Sequence, residues 1–292
     1  MKVGLIGLGL MGSAMGSNLL RAGFDVIGYD VESERREEHV SRGGTDAGSP
    51  AEVARAGKVV VLSLPNSDIG RSVCFDRDGV EAGGPELVID TTTARPSDTT
   101  AIGERFISSG IGFVDATMSG NAAQAADRDI VAMVGGDPEH VERAWPVLEA
   151  VARSVHHVGP VGSGAVTKLI VNQILGVHRI ALAEGLVMGE RAGVDLGRLL
   201  DVLKDGAAYS KAMDIWGTRM VEGDHFPPAS RIRQSHKDFR LILDQGQQLG
   251  SPTWLASTVR QLLGTAEATG LGDADNSAVV EILRRQAGIG RV

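Results

Sequence analysis

The sequence predicts a doubly wound α/β sheet domain followed by an all-α domain, and three observations carry that prediction. Short β-branched runs alternate with helical stretches over the first part of the chain. The glycine-rich segment 7–12 lies directly between the first strand candidate and the first helix candidate. After Gly159 and Pro160 strand signals nearly vanish and helical patterns follow one another.

Strands are expected at 3–6, 25–29, 58–62, 87–90, 112–115 and 130–134, with a further edge strand at 154–158. Several of these runs are apolar throughout instead of alternating, as parallel strands buried on both faces require. Helical crossovers lie between them, among them 12–22 and 33–41. Past the segment GPVGSG one helical pattern continues from 164 to 193, and helices follow at 196–204, 211–221, 235–249, 254–268 and 277–286. The change of texture sets the expected boundary: a sheet domain at 1–160 and a helical domain at 161–292.

At 292 residues, 42% hydrophobic and 23% charged, the chain is an ordinary globular one, long enough for two domains. Its 39 glycines follow no collagen-like period and point to tight turns and close backbone approaches. A net charge of -8 argues against nucleic acid or an anionic membrane as a partner. An anionic cofactor must then be held locally, by backbone amides and a few placed cations. The one cysteine, Cys74, excludes an internal disulfide and fits a reducing compartment. No metal or redox spacing surrounds it. The apolar start is broken by glycines and too short to span a bilayer. A cytoplasmic location is expected.

Gly7, Leu8, Gly9, Leu10, Met11 and Gly12 form a GxGxxG in the context it needs, after a strand and opening a helix. The first glycine permits the tight turn, the second lets the backbone approach a pyrophosphate, and the third lets helix and strand pack closely. The first N–H groups of the helix then face the phosphates. Asp30 follows the second strand, where an acid accepts hydrogen bonds from both ribose hydroxyls and repels the extra phosphate of NADP. A Rossmann-like domain that binds NAD is expected, with Arg35 and Arg36 as nearby cations that soften the preference.

GLGLMGSAMGSNL at 7–19 resembles the opening signature of the β-hydroxyacid dehydrogenase family, which includes 3-hydroxyisobutyrate dehydrogenase and tartronate semialdehyde reductase. Further segments resemble the family in order. SLPNSD at 63–68 looks like the family loop near the nicotinamide end, which implies cofactor contacts from Leu64 and Pro65. DTTTARP at 90–96 looks like the family's D-x-S-T-x-x-P, with Thr92 for the usual serine and Thr93 kept to help fix substrate or nicotinamide. DATMSGNAA at 115–123 resembles the substrate-binding DAPVSGG, which assigns Ser119, Gly120 and Asn121 to the substrate carboxylate region. GSGAVTKLIVNQ at 162–173 is similar to the catalytic G-x-G-x-x-x-K-x-x-x-N. HKDFRLILD at 236–244 resembles the KDL segment, whose lysine, here Lys237, faces the cofactor. The resemblance covers nearly the whole chain. It implies a long helix linking the two domains and a homo-oligomer, commonly a dimer or tetramer.

Hydride transfer itself belongs to the cofactor; the protein must hold the carbinol carbon and move the hydroxyl proton. Lys168 is the candidate acid/base, and Asn172, four residues on, shares its helix face and orients the substrate. Leu169, Ile170 and Val171 suggest a buried setting, which disfavours the charged lysine as the role requires. The expected activity is hydride transfer between NAD and a small 3-hydroxy acid or 2-hydroxy-3-oxo acid, with no metal needed. In the substrate loop the chain departs from the family: Thr117 and Met118 replace proline and valine, Asn121 replaces the second glycine, and Gln124, Arg128 and Asp129 replace small residues. Asn121 is a good N-cap for the segment that follows. The altered loop, and Ser230 where the family often has phenylalanine, suggest changed pocket walls and a larger or less polar side group.

Two other readings stand beside this one. An NADPH-dependent imine reductase of the same architecture would replace the catalytic lysine and carry an Asn-Arg pair after the second strand; Lys168 and Asp30 argue against it. A non-enzymatic dinucleotide-binding module would lose the lysine, and the Lys168–Asn172 pair argues against that.

Overall fold

Strand β1 (Lys2–Ile6) passes through the glycine turn into helix α1 (Leu10–Arg21), and the alternation then repeats. In order follow β2 (Asp25–Tyr29), α2 (Ser33–Ser41), β3 (Thr45–Asp46), α3 (Pro50–Ala56), β4 (Val59–Leu62), α4 (Ser67–Phe75), α5 (Val80–Gly83) and β5 (Leu87–Asp90). Next come α6 (Pro96–Ser108), β6 (Gly112–Ser119), α7 (Ala122–Ala126), β7 (Val131–Gly136), α8 (Pro138–Val151) and β8 (Ser154–Gly159). This computed structural model describes residues 1–290. The eight strands form one sheet in the order β3-β2-β1-β4-β5-β6-β7-β8. β6 and β7 pair antiparallel, and the other neighbours pair parallel. Strand order reverses between β1 and β4, so the carboxyl ends of these two strands flank the crevice where open α/β sheets bind ligands.

The apolar strand runs have a direct explanation. Val59 and Val61 join Val3, Leu5 and Ile89 on one face of the sheet, whereas Val60 and Leu62 join Ile6, Val88, Phe106 and Phe113 on the other. Side chains alternate across a strand, so a run buried on both faces carries no polar alternation. Each large apolar side chain fully buried this way contributes about 1.5–3 kcal/mol. Cys74 is buried in the second of these layers, and burial pushes its thiol well above the usual range. The structure adds β3, a two-residue strand too short to leave a pattern. It also extends β6 to Ser119 and carries β7 on to Gly136, because antiparallel pairing runs from Val114↔Gly136 to Ser119↔Val131. β8 forms at the sheet edge.

The chain divides into two compact units, Met1–Lys168 and Leu169–Val292, and the division falls inside the 29-residue helix α9 (Ser163–Arg191). The second unit continues with α10 (Leu196–Asp205), a π-helical turn at Met213–Gly217, α11 (Thr218–Glu222), α12 (Ile232–Gln248), α13 (Trp254–Ala266) and α14 (Val279–Gln286). Its core gathers Leu186, Leu200, Trp216, Phe239, Leu263 and Val280. The helix expected at 211–221 is interrupted by the π-helical turn, where Gly217 lies so close to α10 that a Cβ would stand 2.6 Å from Leu200 Cδ1. The helix expected from 277 begins as a 3-10 turn, Asn276–Ala278, whose N-terminus is capped by Asp275. By length and composition alone α9 is apolar enough to cross a membrane. Lys168, Asn172, Arg179 and Glu184 lie within it, and Arg179 is buried in protein. We read α9 as a core helix.

Candidate active site

The glycine turn is fixed by sterics. Gly7 has φ 91°, and a Cβ there would stand 2.2 Å from the Ser63 carbonyl oxygen; a Cβ on Gly12 would stand 1.8 Å from the Gly7 carbonyl oxygen. Gly9 is the N-cap of α1 and supplies no side-chain cap. A Cβ on Gly9 would meet only Arg35 Nη1, at 3.6 Å. The start of α1 therefore has room above its uncapped turn, which suits an anionic ligand. Leu10 is 82% exposed beside it, while Leu8 and Met11 pack against the core. A cavity of about 470 Å³ adjoins the turn, lined by Gly9, Leu10, Ser13, Ser17, Arg35 and Arg42 among others. These residues fit the pyrophosphate of a dinucleotide.

Asp30 is buried at the end of β2, and its carboxylate first serves the turn itself. Oδ2 accepts from the Leu8 N–H at 2.7 Å and Oδ1 from the Glu32 N–H at 3.0 Å. Arg35 Nη1 lies 3.5 Å from Oδ2, and Arg36 donates to the Asp30 carbonyl at 2.8 Å. Each carboxylate oxygen keeps further acceptor capacity. The anchoring of Leu8 was not foreseen from the motif. Across the switch point, the Leu64 N–H donates to Thr92 Oγ1 at 3.3 Å, and the Thr92 N–H donates to Asp90 Oδ1 at 2.9 Å. The loops after β4 and β5 are thereby joined, with Pro65 exposed and Thr93 half-buried. Burial pushes the Asp90 carboxyl up to about 6, outweighing the two bonds from Thr92 that favour its charge.

Sequence reasoning also missed the tie between β6 and α9. Asp115 Oδ1 accepts from the Gly162 N–H at 2.7 Å and Oδ2 from the Ala165 N–H at 2.8 Å, so a strand residue caps the helix that carries Lys168. Here too burial outweighs the bonds and pushes the carboxyl up to about 6. Thr117 Oγ1 donates to the Gly164 carbonyl at 2.8 Å. Gly162 has φ 92°, and a Cβ on Gly164 would stand 2.5 Å from the Met133 carbonyl oxygen, so both glycines of this motif are required by close packing. The signal was present as an acid inside an otherwise apolar strand. The strand that ends at half-buried Ser119 and exposed Gly120 is thus pinned to the first turn of α9. Lys168 is half-buried one turn further on. Leu169 is buried beside it, but Ile170 is 50% exposed, so apolar neighbours do not enclose this helix on all sides.

The altered loop residues serve local structure. Asn121 Oδ1 accepts from the Gln124 N–H at 2.9 Å, and Gln124 Oε1 accepts from the Asn121 N–H at 3.1 Å. This reciprocal capping box starts α7 and engages the Oδ1 and the backbone N–H of Asn121. Met118 points into the core with Ala125 and Ile130. Arg128, at φ 59°, donates to the Glu149 carbonyl at 2.6 Å, and Asp129 pairs with Arg153 at 2.9 Å. The expectation that Thr117 and Met118 reshape pocket walls is corrected: both are buried inside the sheet domain, on opposite faces of β6.

In the second unit Asn172 Nδ2 donates to Asp238 Oδ2 at 3.1 Å, and Lys237 Nζ lies 3.5 Å from Asp238 Oδ1. Asp238 therefore joins the two polar residues singled out on α9 and α12. Ser230 Oγ accepts from Asn276 Nδ2 at 3.0 Å.

A sheet built in this order around a phosphate-ready glycine turn belongs to the class of dinucleotide-binding proteins. Comparison with known proteins narrows the class. Residues 2–159 match the NAD binding domain of 6-phosphogluconate dehydrogenase, and residues 162–283 match the NAD-binding region of NADP-dependent 3-hydroxyisobutyrate dehydrogenase. The chain is 33% identical over 289 residues to glyoxylate/succinic semialdehyde reductase 1 of Arabidopsis thaliana, covering 97% of this chain and 99% of that one. It is 34% identical over 284 residues to L-threonate dehydrogenase of Cupriavidus necator, covering 96% and 95%. The crystal structure of 3-hydroxyisobutyrate dehydrogenase from Salmonella typhimurium superposes with a TM-score of 0.87 at 31% identity, over 97% of this chain and 99% of that one. The chain belongs to the β-hydroxyacid dehydrogenase family, nicotinamide dinucleotide-dependent oxidoreductases that act on the CH–OH group of small hydroxy acids.

Proposed function

We propose that this chain is an NAD-dependent dehydrogenase that moves a hydride between NAD and a small 3-hydroxy acid or 2-hydroxy-3-oxo acid, with Lys168 as the acid/base. Residues 1–160 form its dinucleotide-binding domain and 161–292 its substrate and oligomerisation domain. The observation that carries the reading is the double tie from β6 to α9. Asp115 and Thr117 hold the end of the strand that presents Ser119 and Gly120 in one frame with the helix that presents Lys168. Relatives named for glyoxylate, succinic semialdehyde and threonate support a small hydroxy or oxo acid as substrate.

When bound, NAD would supply the acceptor for the hydride that leaves the carbinol carbon as it becomes a carbonyl. Neutral Lys168 Nζ takes the hydroxyl proton and becomes an ammonium, and in the reverse direction it returns that proton. The Ser119 hydroxyl and the Gly120 N–H hold the substrate carboxylate, while Asn121 shapes the loop through its capping box. Asn172, fixed by Asp238, orients the substrate from the next turn of α9. Gly7, Leu8, Gly9, Leu10, Met11 and Gly12 receive the pyrophosphate on backbone amides. Leu64, Pro65 and Thr93 line the nicotinamide end, and Lys237 faces the cofactor, as the family resemblance implies. Asp30 favours NAD, because its remaining acceptor capacity suits ribose hydroxyls and its charge opposes a 2′-phosphate.

The enzyme works as a cytoplasmic homodimer or homotetramer. α9 leaves Ile170, Ile174 and Met188 exposed, and α13 leaves Trp254 and Leu255 exposed, as a surface for a second copy of the chain. The test is reduction of NAD and NADP in parallel across small and aryl-substituted hydroxy acids. Turnover with NAD at a kcat/KM about tenfold or more above that with NADP is expected. Preference for NADP contradicts the cofactor assignment, and silence with dinucleotide binding intact contradicts the hydroxy acid assignment.

A further inference from the structure

We propose that Arg179 builds a second oxyanion subsite in the helical unit, and that the preferred substrate is a hydroxy acid carrying a second, distal carboxylate. The inference rests on the hydroxy acid reading above and narrows its substrate class. Arg179 is 3% exposed, and its Nε and Nη2 have no hydrogen-bond partner among the described residues. These two nitrogens form one edge of the guanidinium, the edge that meets both oxygens of a single carboxylate in a bidentate pair. The Trp216 ring lies 4.9 Å from the guanidinium carbon, which steadies the cation through a π face and leaves that edge unused.

Another buried arginine in the same unit shows how a purely structural guanidinium is handled. Arg284 is 1% exposed and donates to Glu190 at 2.7 Å, Glu281 at 2.7 Å and the Met220 carbonyl at 3.1 Å. Arg179 lacks such partners. The carboxylates whose charge reaches it are Asp275 and Asp238, and both are engaged elsewhere. Asp275 accepts from the N–H groups of Ala229, Ser230 and Ser277 and lies 3.9 Å from Arg219 Nη1. Asp238 accepts from Asn172 and pairs with Lys237. Asn276, next to Asp275 in the chain, also keeps a buried acceptor, Oδ1, without a partner. A buried cation left in this state is completed by an anion that the chain does not supply.

Placement agrees with a role in substrate choice. Arg179 follows Asn172 by seven residues on α9, two turns along the same face. Helical Cα–Cβ bonds tilt toward the N-terminus, which starts the Arg179 side chain toward the Asn172 end of α9, and Asp238, bonded to Asn172, is one of the carboxylates whose charge reaches it. A short dicarboxylate whose reacting end lies at Asn172 would present its far carboxylate to Arg179.

Two acids with the same reacting unit test the idea: 3-hydroxyisobutyrate and 2-(hydroxymethyl)glutarate, which adds a distal carboxylate. The native enzyme is expected to favour the diacid in kcat/KM by about 100-fold, and Arg179→Met to bring that ratio below about threefold, with Arg179→Lys in between. A native ratio at or below one, or a ratio unchanged in Arg179→Met, overturns the subsite. A binding measurement runs beside it, since glutarate carries the two carboxylates and no hydroxyl. Glutarate should raise the Tm of the native protein more than butyrate does, and this difference should vanish in a folded Arg179→Met; equal effects of the two acids on the native protein overturn the subsite. Glutarate-specific binding without turnover of either acid sinks the dehydrogenase reading alone. Turnover of the monoacid without glutarate-specific binding sinks the subsite alone.

Discussion

The glycine turn after β1 and the loop after β6 both leave a strand of the same sheet and both open a helix, yet the turn keeps its family pattern for steric reasons while the loop departs from its own. At the turn the pattern is steric: backbone oxygens stand 2.2 and 1.8 Å from where side chains on Gly7 and Gly12 would begin. No side chain fits at those two positions, so Gly7 and Gly12 are fixed by packing. The loop is held by hydrogen bonds, and bonds can be remade by other residues. Asn121 and Gln124 rebuild the start of α7 as a capping box, and Thr117 makes a bond to Gly164 through a hydroxyl that proline lacks. A changed loop residue therefore says little about a changed ligand. The residue proposed above to bear on substrate choice lies instead on α9, at Arg179.

Replacing the third glycine tests the steric side and carries the largest expected effect. Gly12→Ala should lose about 4 kcal/mol or more, or fail to fold, with loss of dinucleotide binding. Denaturant unfolding within about 1 kcal/mol of the native protein breaks the steric account. Asp115→Ala comes next. It leaves the N–H groups of Gly162 and Ala165 without their acceptor, and about 2–3 kcal/mol should be lost together with a fall in kcat, while dinucleotide affinity holds within about threefold. An unchanged kcat detaches the β6–α9 tie from catalysis.

The buried carboxyl of Asp90 gives a pH-dependent comparison. Its folded pKa is raised to about 6 from 3.8, so the folded state holds this proton more tightly than the unfolded chain. Its contribution to stability is present below about pH 4 and is lost as pH rises through about 6. Asp90→Asn should therefore gain on the native protein by roughly 2 kcal/mol between pH 4 and pH 8 in denaturant titrations. A gap that stays constant or narrows shows that the Thr92 bonds, and not burial, dominate. Asn121→Ala carries the smallest expected effect: about 1 kcal/mol of stability from the lost cap, with KM for the hydroxy acid moved by less than about threefold. A much larger KM change would show that the loop reads the substrate through Asn121 directly.

Much of the sheet domain was legible because buried parallel strands announce themselves as unbroken apolar runs such as VVVL in β4, bounded by turn residues. β3 was invisible because two residues hold no period, and the π-helical turn at Met213–Gly217 was invisible because helical periodicity continues across it. The glycine turn and the Lys168–Asn172 spacing were legible because local spacing defines them. What sequence could not disclose were pairings across distance: Asp30 with Leu8, Asp115 with Gly162 and Ala165, Asn172 with Asp238. Arg179 was illegible for a related reason. Only the fold shows that it is buried, and only its described neighbours show that Nε and Nη2 go unused among them.

Turnover and dinucleotide affinity of Lys168→Ala, measured side by side at saturating hydroxy acid, test the central claim most directly. If Lys168 moves the hydroxyl proton, kcat should fall by about a thousandfold while the dinucleotide Kd stays within about threefold of the native value. A kcat within about tenfold of native, at unchanged affinity, would contradict the acid/base assignment.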